Sequence, residues 1–457
     1  MSGFKNQKQQ SLPLLGIKVV DFGRTTAGQA TSMILGDLGA TVIRIGTDEK
    51  IPVNATLNRN KCCVDLDLRN PQQVQKALNI IKLSDVVIDS FCPGHMKSIG
   101  IDYEALRKER PELITMSIPG FASNDSDLRD KKTTEAIVLA AAGAFTDMGF
   151  NRILMGFNPS FSPLPLASSY TTSLAASAIV MSLFARLQTG IGDSVEVPMI
   201  CATMEGLSYN SIVVSGITDR YKCLRQQEIE SRLESGKPMD VKYEQLHEYL
   251  DPFYRTYTCG DGRQIYIVLP AHHNHVTRIL KLTGLHQQLM DEGFPNLPAV
   301  GLHTHSRNLT ELANVGMYPI NRKWARHIAP RMEAAFLTKS AFEWFELFGE
   351  WGIPATPHLR HSEWINDAHN RTAGLIVQQQ NPDFGEMLMP GSAVWCEEFS
   401  ADLSKPPRPT RHMQYEETLA LLRDLQHHPE IVTQPNFSVT TSQRELPGSV
   451  WCRSDKA

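Results

Sequence analysis

The 457-residue sequence lacks the features that mark several large classes of protein. Its eight cysteines form no C-x-x-C pair and are irregularly spaced, which favours free thiols in a reducing compartment over a disulfide framework. The formal net charge of −4 argues against nucleic-acid binding or a polybasic membrane role. No apolar run reaches transmembrane length and no signal peptide opens the chain, so we expect a cytoplasmic protein without a membrane partner. An apolar content of 42% and a charged content of 21% suit a globular enzyme.

The stretch from Gly16 to Gly46 predicts one βαβ unit. Ile17 to Phe22 is β-branched and aromatic, as a buried strand requires, and Ala40 to Ile45 returns as a second strand after a segment with helical spacing. The first loop meets a helix N-terminus, where free N–H groups favour anions, so a nucleotide-containing ligand is indicated. The G-x-G-x-x-G fingerprint of dinucleotide-binding folds is absent, because this loop has only Gly23 and Gly28.

Strands and helices continue to alternate after this unit. Asn58 to Arg69 predicts a strand, Gln72 to Leu83 a helix, and Asp85 to Asp89 a short buried strand. This order predicts an α/β fold with a doubly wound parallel sheet that helices cover on both faces.

Spaced motifs extend over most of the chain. They are L-x-G-I-K-V-V-D-F-x-R-x-x-A-G, then N-R-N-K-C-C-V-D-L-D-L-R, F-C-P-G, G-I-D-Y-E-A-L, R-P-E-L-I and S-I-P-G-F, in this order. The sequence from Leu15 to Leu425 thereby resembles the family III CoA-transferases (CaiB/BaiF-like), which include formyl-CoA transferases and α-methylacyl-CoA racemases. The resemblance implies a Rossmann-like large domain with a smaller α/β domain, an interlocked dimer, coenzyme A bound as an acyl-CoA substrate, and no metal.

The resemblance also implies a division of the chain. We expect a disordered tail (1–12), the N-terminal, CoA-binding part of the large domain (13–220), the small domain with its linker (221–330), small-domain helices and the return to the large domain (331–426), and a C-terminal extension (427–457).

Motif matching places the CoA-binding residues in four segments. Thr47 stands where the transferases often have a basic residue, so one cationic contact is missing. The matched positions are Thr26 and Ala27 beside the CoA thiol end; Leu66, Asp67, Leu68 and Arg69 on the adenine-side strand; Ser90, Phe91 and Cys92 in the next such turn; and Lys132 at a phosphate-contacting lysine.

The catalytic position departs from the family pattern. In the transferases an Asp at the start of a long helix attacks the acyl-CoA, and the matching residue here is Ser168. No Asp or Glu lies between Asp147 and Asp193, so a shifted alignment cannot supply one. The racemase His falls on Thr134, and Glu135, at an acidic family position near the thioester, is the best local carboxylate.

Three functions stay open. The first is transfer of CoA between carboxylic acids with Ser168 in place of the catalytic Asp. The second is an acyl-CoA racemase or isomerase with replaced catalytic groups, and the third is a non-catalytic CoA-binding subunit of a heteromeric transferase. The expected partners are acyl-CoA, a carboxylic acid, and either a second copy or an active paralogue, with no nucleic acid. The tract of His272, His273 and His275 lacks Cys or acidic partners at ligand spacing, so we expect a polar helix end there.

Overall fold

The computed structural model describes residues 12–46, 51–145, 163–207, 224–238, 250–269, 272–296, 315, 320–394 and 407–427. The chain divides into two compact units. Unit 1 comprises Met1–Ala144, Phe161–Ser211 and His361–Val439, and unit 2 comprises Phe145–Ser160, Ile212–Arg360 and Thr440–Ala457. The domain boundaries expected from the sequence remain predictions.

The described residues form strands in both units. In chain order they are β1 (Lys18–Asp21), β2 (Thr41–Ile45), β3 (Lys61–Val64), β4 (Val86–Asp89), β5 (Ile114–Ser117), β6 (Ser194–Glu196), β7 (Tyr254–Thr258), β8 (Gln264–Val268), β9 (Ala355–Pro357), β10 (Ile376–Asn381), β11 (Gly385–Pro390) and β12 (Arg411–His412).

The helices of the described residues follow the same order. They are α1 (Thr26–Asp37), α2 (Pro52–Leu57), α3 (Pro71–Ile81), α4 (His95–Ser98), α5 (Tyr103–Glu109), α6 (Glu135–Ala141), α7 (Leu166–Thr189), α8 (Met199–Leu207), α9 (Leu224–Ser235), α10 (His273–Leu282), α11 (His286–Asp291), α12 (Arg322–Phe336), α13 (Ala341–Trp351), α14 (His361–Asn366), α15 (Ala368–Thr372) and α16 (Tyr415–His427).

Unit 1 is built on a seven-stranded parallel sheet in the order β12-β3-β2-β1-β4-β5-β6. The strand order reverses direction between β1 and β4, which lie side by side. In an open α/β sheet the loops at such a switch point diverge and leave a crevice at the carboxyl ends of the strands. The predicted doubly wound parallel sheet is therefore confirmed, and its crevice lies after Asp21 and Asp89.

Both faces of this sheet are covered. Val20, Ile43 and Val87 point into a core that also contains the apolar sides of α3 and α16. On the opposite face α1 packs closely on β2, and a Cβ at Gly36 would lie 3.5 Å from a methyl group of Val42. Because the strands are buried on both faces, they read in the sequence as continuous apolar runs rather than as alternating ones.

The predicted strand from Asn58 to Arg69 is wrong in its extent, since β3 ends at Val64. The Asp67 carboxylate accepts the backbone N–H of Arg69 at 3.0 Å, which forms a turn, and Asn70 then caps α3. Local hydrogen bonds from Asp and Asn side chains compete with a strand ladder and end it here. The βαβ unit and the strand ending at Asp89 agree with the prediction.

Helix α7 buries its small residues and exposes its large ones. Ala167, Thr171 and Ala175 face the interior, where α7 packs against α1, whereas Phe184 is 63% and Leu187 84% exposed. By length and composition α7 is apolar enough to cross a membrane, so the expectation that no segment reaches that limit is wrong. The helix contains many Ala, Ser and Thr residues and one Arg. A search of the sequence for long runs of large apolar residues therefore does not find it. A core helix passes the same test.

Unit 2 contains an antiparallel three-stranded sheet in the order β7-β8-β9. Its core joins Tyr257 and Ile265 of this sheet to Phe336, Trp344 and Phe348 of α12 and α13. The Ser340–Glu343 capping box begins α13, and Gly352 in the left-handed region ends it. Unit 2 is thus an α/β unit with its own apolar core.

Candidate functional site

The loop at the switch point is held from below by a buried ion cluster. Lys61 Nζ, fully buried, lies 3.0 Å from Asp21 Oδ2 and also donates to Ser32 Oγ at 2.8 Å and to the Gln29 carbonyl at 2.8 Å. Arg44 lies 3.5 Å from the same carboxylate and donates to the Gly23 carbonyl at 2.6 Å. The cluster therefore ties the ends of β1 and β2 and the beginning of β3 to the first half of α1.

The charges of this cluster depend on one another. Burial alone would raise the pKa of Asp21, but Lys61 and Arg44, with hydrogen bonds from Ser32 and Gly23, outweigh it and lower that pKa. Burial lowers the pKa of Lys61, and the charge of Asp21 offsets this only in part. Lys61 therefore anchors the chain through buried contacts with Asp21, Ser32 and the Gln29 carbonyl.

Ser90 connects the turn after β4 to the loop after β1. Its Oγ accepts the backbone N–H of Arg24 at 2.7 Å and that of Thr25 at 3.0 Å, and Thr25 in turn caps α1 through the N–H of Gly28. A Cβ at Gly28 would lie 3.0 Å from the Ser90 Cβ and 3.0 Å from the Gly23 Cα, so a larger residue here would have to push the two turns apart. The predicted thiol-side loop and the predicted Ser90 turn are therefore in direct contact.

Ser168 and Glu135 are paired at the start of α7. The Ser168 hydroxyl donates to Glu135 Oε2 at 2.5 Å, and the same carboxylate accepts the backbone N–H groups of Ala167 at 2.8 Å and Ser168 at 2.9 Å. The carboxylate caps the helix, where its negative charge is also favoured by the helix dipole. Thr134, the racemase His position, is the exposed N-cap residue of α6.

The helix that carries Ser168 also contacts the loop after β1. Thr172, one turn after Ser168, donates its hydroxyl to the Ala27 carbonyl at 3.3 Å, and that carbonyl also accepts from Thr31 at 2.7 Å. The buried Ala27 thus connects α1 to α7. The structure therefore places the loop of Thr26 and Ala27 against the Ser90 turn on one side and against α7, one turn after Ser168, on the other.

The remaining predicted residues lie around this network. Leu66 and Leu68 contribute to the apolar cluster that Phe91 also packs against, so the turns after β3 and β4 share one core. Asp67 and Arg69 form an exposed ion pair, and the hydrogen bond from Arg69 lowers the pKa of Asp67. The Arg69 side chain is 92% exposed, and its guanidinium binds the Asp67 carboxylate.

The loop that carries Lys132 returns to the same edge of the sheet. The Cys92 thiol donates to the Lys131 carbonyl at 3.5 Å, and Thr133 packs so closely on Gly120 that a Cβ there would lie 1.9 Å from the Thr133 Oγ1. Lys132 itself is exposed. The loop thus carries an exposed cation, Lys132, three residues before Glu135.

The Ser168–Glu135 pair contains a hydroxyl and a carboxylate that hold each other. The Ser168 proton is held by Glu135, and both oxygens of Glu135 already accept hydrogen bonds. A serine hydroxyl needs a base to accept its proton, and the carboxylate next to Ser168 also holds two backbone N–H groups of α7. Within the described ranges, no group of three or more His, Cys, Asp or Glu side chains could hold a metal ion.

Sequence reasoning missed Thr172 and the cluster of Asp21, Arg44 and Lys61. The sequence did contain a signal for the cluster. Charged residues inside otherwise apolar strands of a parallel sheet must be paired with one another. Thr172 gave no signal, because a hydroxyl in a helix most often bonds to its own preceding turn.

Comparisons with known proteins show which family the sequence matches. The profile of CoA-transferase family III matches residues 14–413. The chain is 51% identical over 422 residues to the CoA-transferase/lyase DddD of Marinomonas sp. (strain MWYL1), an alignment that covers 92% of this chain and 50% of DddD. The chain therefore spans about half the length of that relative.

Two further similarities are more distant. The succinyl-CoA:glutarate CoA-transferase of Mus musculus is 23% identical over 421 residues, which are 88% of this chain and 85% of that enzyme. The crystal structure of a CAIB/BAIF family protein from Brucella suis superposes with a TM-score of 0.61 at 19% identity, covering 91% of this chain and 100% of that one. The second similarity concerns the fold alone.

Proposed function

Because this chain belongs to CoA-transferase family III, we propose that it acts on acyl-CoA thioesters and transfers CoA between carboxylic acids, with Ser168 in the place of the family's catalytic Asp. One observation carries the proposal. The loop of Thr26 and Ala27, the Ser90 turn and the start of α7 meet at the β1/β4 switch point, where α/β sheets bind nucleotide-containing ligands.

The proposed CoA contacts follow the predicted positions. Thr26 and Ala27 would lie beside the thiol end, the turn of Ser90, Phe91 and Cys92 beside the adjoining part of the ligand, and Leu66 to Arg69 beside the adenine. The apolar cluster shared by Leu66 and Phe91 supports a continuous groove between these turns. Lys132, exposed at the same edge, would contact a phosphate.

The Ser168–Glu135 geometry favours a reaction without a covalent enzyme intermediate. In the proposed first step the carboxylate of the acceptor acid attacks the thioester carbonyl and expels CoA thiolate, which gives a mixed anhydride. In the second step the thiolate attacks the acceptor's carbonyl, which forms the new thioester and releases the donor as a carboxylate. Neither step needs a proton or a free enzyme carboxylate, so the missing Asp does not prevent the exchange. Both acids must then be bound together.

An exchange assay tests this proposal. The protein is incubated with an acyl-CoA and an isotopically labelled acceptor acid, and labelled acyl-CoA is followed by mass spectrometry. Transfer with sequential rather than ping-pong kinetics is expected. Deuterium wash-in at the acyl Cα without transfer would instead identify a racemase or isomerase.

A second candidate is a non-catalytic CoA-binding subunit. The three hydrogen bonds that the Glu135 carboxylate already accepts favour it. The alignment with only half of DddD favours it as well, because activity named for the whole of DddD need not reside in the matched half. Binding of CoA with neither transfer nor wash-in, followed by transfer when an active paralogue is added, would select this candidate.

We also propose that a second family III chain, in a homodimer or as an active paralogue, covers the exposed face of α7. Large apolar side chains, among them Met181, Phe184 and Leu187, are 64%, 63% and 84% exposed along this helix. Contiguous exposed apolar surface of this kind marks interaction sites. A cytoplasmic location stays a prediction.

A further inference from the structure

Arg24 is an exposed cation at the edge of the switch-point crevice. Its backbone N–H donates to Ser90 Oγ at 2.7 Å, which fixes the main chain of the loop. Its side chain is exposed, and the guanidinium has no hydrogen bond or ion pair with any residue that the structure describes. The main chain of Arg24 is thus anchored while its guanidinium is available.

The guanidinium extends from the end of β1 to the end of β2. A Cβ built on Gly46 would lie 3.8 Å from the Arg24 Cζ and 3.9 Å from each terminal nitrogen, so the planar group lies against this glycine. Gly46 has a φ of +132°, which L residues rarely adopt. The glycine therefore leaves a surface on which the arginine rests, directly before Thr47.

Among the described residues at the loop, cations outnumber carboxylates. Below the loop, Arg44 and Lys61 outnumber Asp21, the one carboxylate of the buried cluster. Arg24 adds a further cation without an acidic partner among the described residues. A planar guanidinium with free donors binds phosphate oxygens in a bidentate manner.

We infer that Arg24 binds a phosphate group of CoA and supplies the cationic contact that is missing at Thr47. The inference rests on the proposed function, since it assigns a residue to the same CoA site. Arg24 stands between the proposed thiol-side loop and the proposed adenine-side turn after β3. A phosphate in that interval belongs either to the pyrophosphate or to the 3′-phosphate of CoA.

Calorimetric titration with CoA and with 3′-dephospho-CoA tests this role in the full chain. The variants are Arg24→Gln, Arg24→Lys and, as a matched control, Arg423→Gln, which removes an exposed arginine from α16. Arg24→Gln is expected to weaken CoA binding about tenfold, since a charge-assisted hydrogen bond is lost. Arg24→Lys should keep part of the affinity, because it retains the charge but not the fork. Arg423→Gln should bind as the parent does.

The second ligand identifies the phosphate. If Arg24 binds the 3′-phosphate, Arg24→Gln binds dephospho-CoA as tightly as the parent does; if it binds the pyrophosphate, both ligands weaken equally. Thermal unfolding of Arg24→Gln should match that of the parent, because the guanidinium has no partner within the described chain. Unchanged CoA affinity in Arg24→Gln, or an equal loss in Arg423→Gln, overturns the inference alone. A parent protein that binds no CoA overturns the proposed function together with it.

Discussion

Replacing Lys61 by Met tests whether the buried ion cluster supports the loop at the switch point. The change removes an ammonium group whose distances to Asp21 Oδ2, Ser32 Oγ and the Gln29 carbonyl are 3.0, 2.8 and 2.8 Å. Met fills a similar volume, so the main effect is on charge and hydrogen bonding rather than on packing. The Asp21 carboxylate then stays buried with Arg44 at 3.5 Å as its remaining cation.

The expected cost follows from this partial loss of partners. Removing one member of a buried ion pair costs about 3–5 kcal/mol, because the other charge remains without compensation. Arg44, the Gly23 N–H and Ser32 still face Asp21, so we expect the lower end, about 3 kcal/mol. This free energy increases the equilibrium constant for opening of the loop region by a factor of about one hundred.

Amide hydrogen exchange followed by mass spectrometry reads out this loss locally. Peptides that cover β1, β2 and the start of α1 should exchange about a hundredfold faster in Lys61→Met, while peptides of unit 2 should keep their rates. Lys108→Met, which breaks the exposed pair with Glu104, is the control and should leave all rates unchanged. Unchanged protection of β1 and α1 in Lys61→Met would refute the supporting role of the cluster.

Three other perturbations give distinct readouts. Glu135→Gln removes the charge of the carboxylate that caps α7, so amides at the start of this helix should open more easily by about 1 kcal/mol; equal protection would exclude the capping role. Leu187→Glu should convert an oligomer to monomers in analytical ultracentrifugation while the neighbouring Gln188→Glu should not, and a parent that is already monomeric contradicts a partner on α7. Burial raises the pKa of Asp251 to about 6, above its unfolded value. Protonation of Asp251 therefore stabilises the fold fully below about pH 4, and this contribution is lost as the pH rises through 6. Asp251→Asn should remove that part of the pH dependence of unit 2 unfolding, and identical pH profiles of variant and parent would refute it.

The large sheet could be predicted because its signals are local. Strands such as Val86–Asp89 are buried on both faces and stand out as apolar runs, and Gly39 at a φ of +104° separates α1 from β2 as its position in the sequence suggests. Element ends were less predictable. The strand after Asn58 ended early because Asp67 and Asn70 form side-chain hydrogen bonds that composition alone does not reveal.

The sequence predicted where the candidate site lies but not which hydrogen bonds its residues form. The motifs placed Ser168 and Glu135 in the same region, yet the length of the intervening chain gives no indication that the carboxylate accepts three hydrogen bonds from Ala167 and Ser168. The sequence of α7 does not show which of its faces is buried. Packing against α1 selects the small residues, because close approach of two helices requires them.

Intact-mass analysis after incubation with acyl-CoA tests most directly whether Ser168 stands where the family's nucleophile stands. The parent should form no adduct, because a serine stands at the position of the family's Asp and its hydroxyl is bonded to Glu135. Ser168→Asp should gain the mass of a covalent acyl or CoA adduct, whereas Ser169→Asp, at an exposed neighbouring position, should not. The absence of an adduct on Ser168→Asp, or an equal adduct on Ser169→Asp, would contradict this assignment.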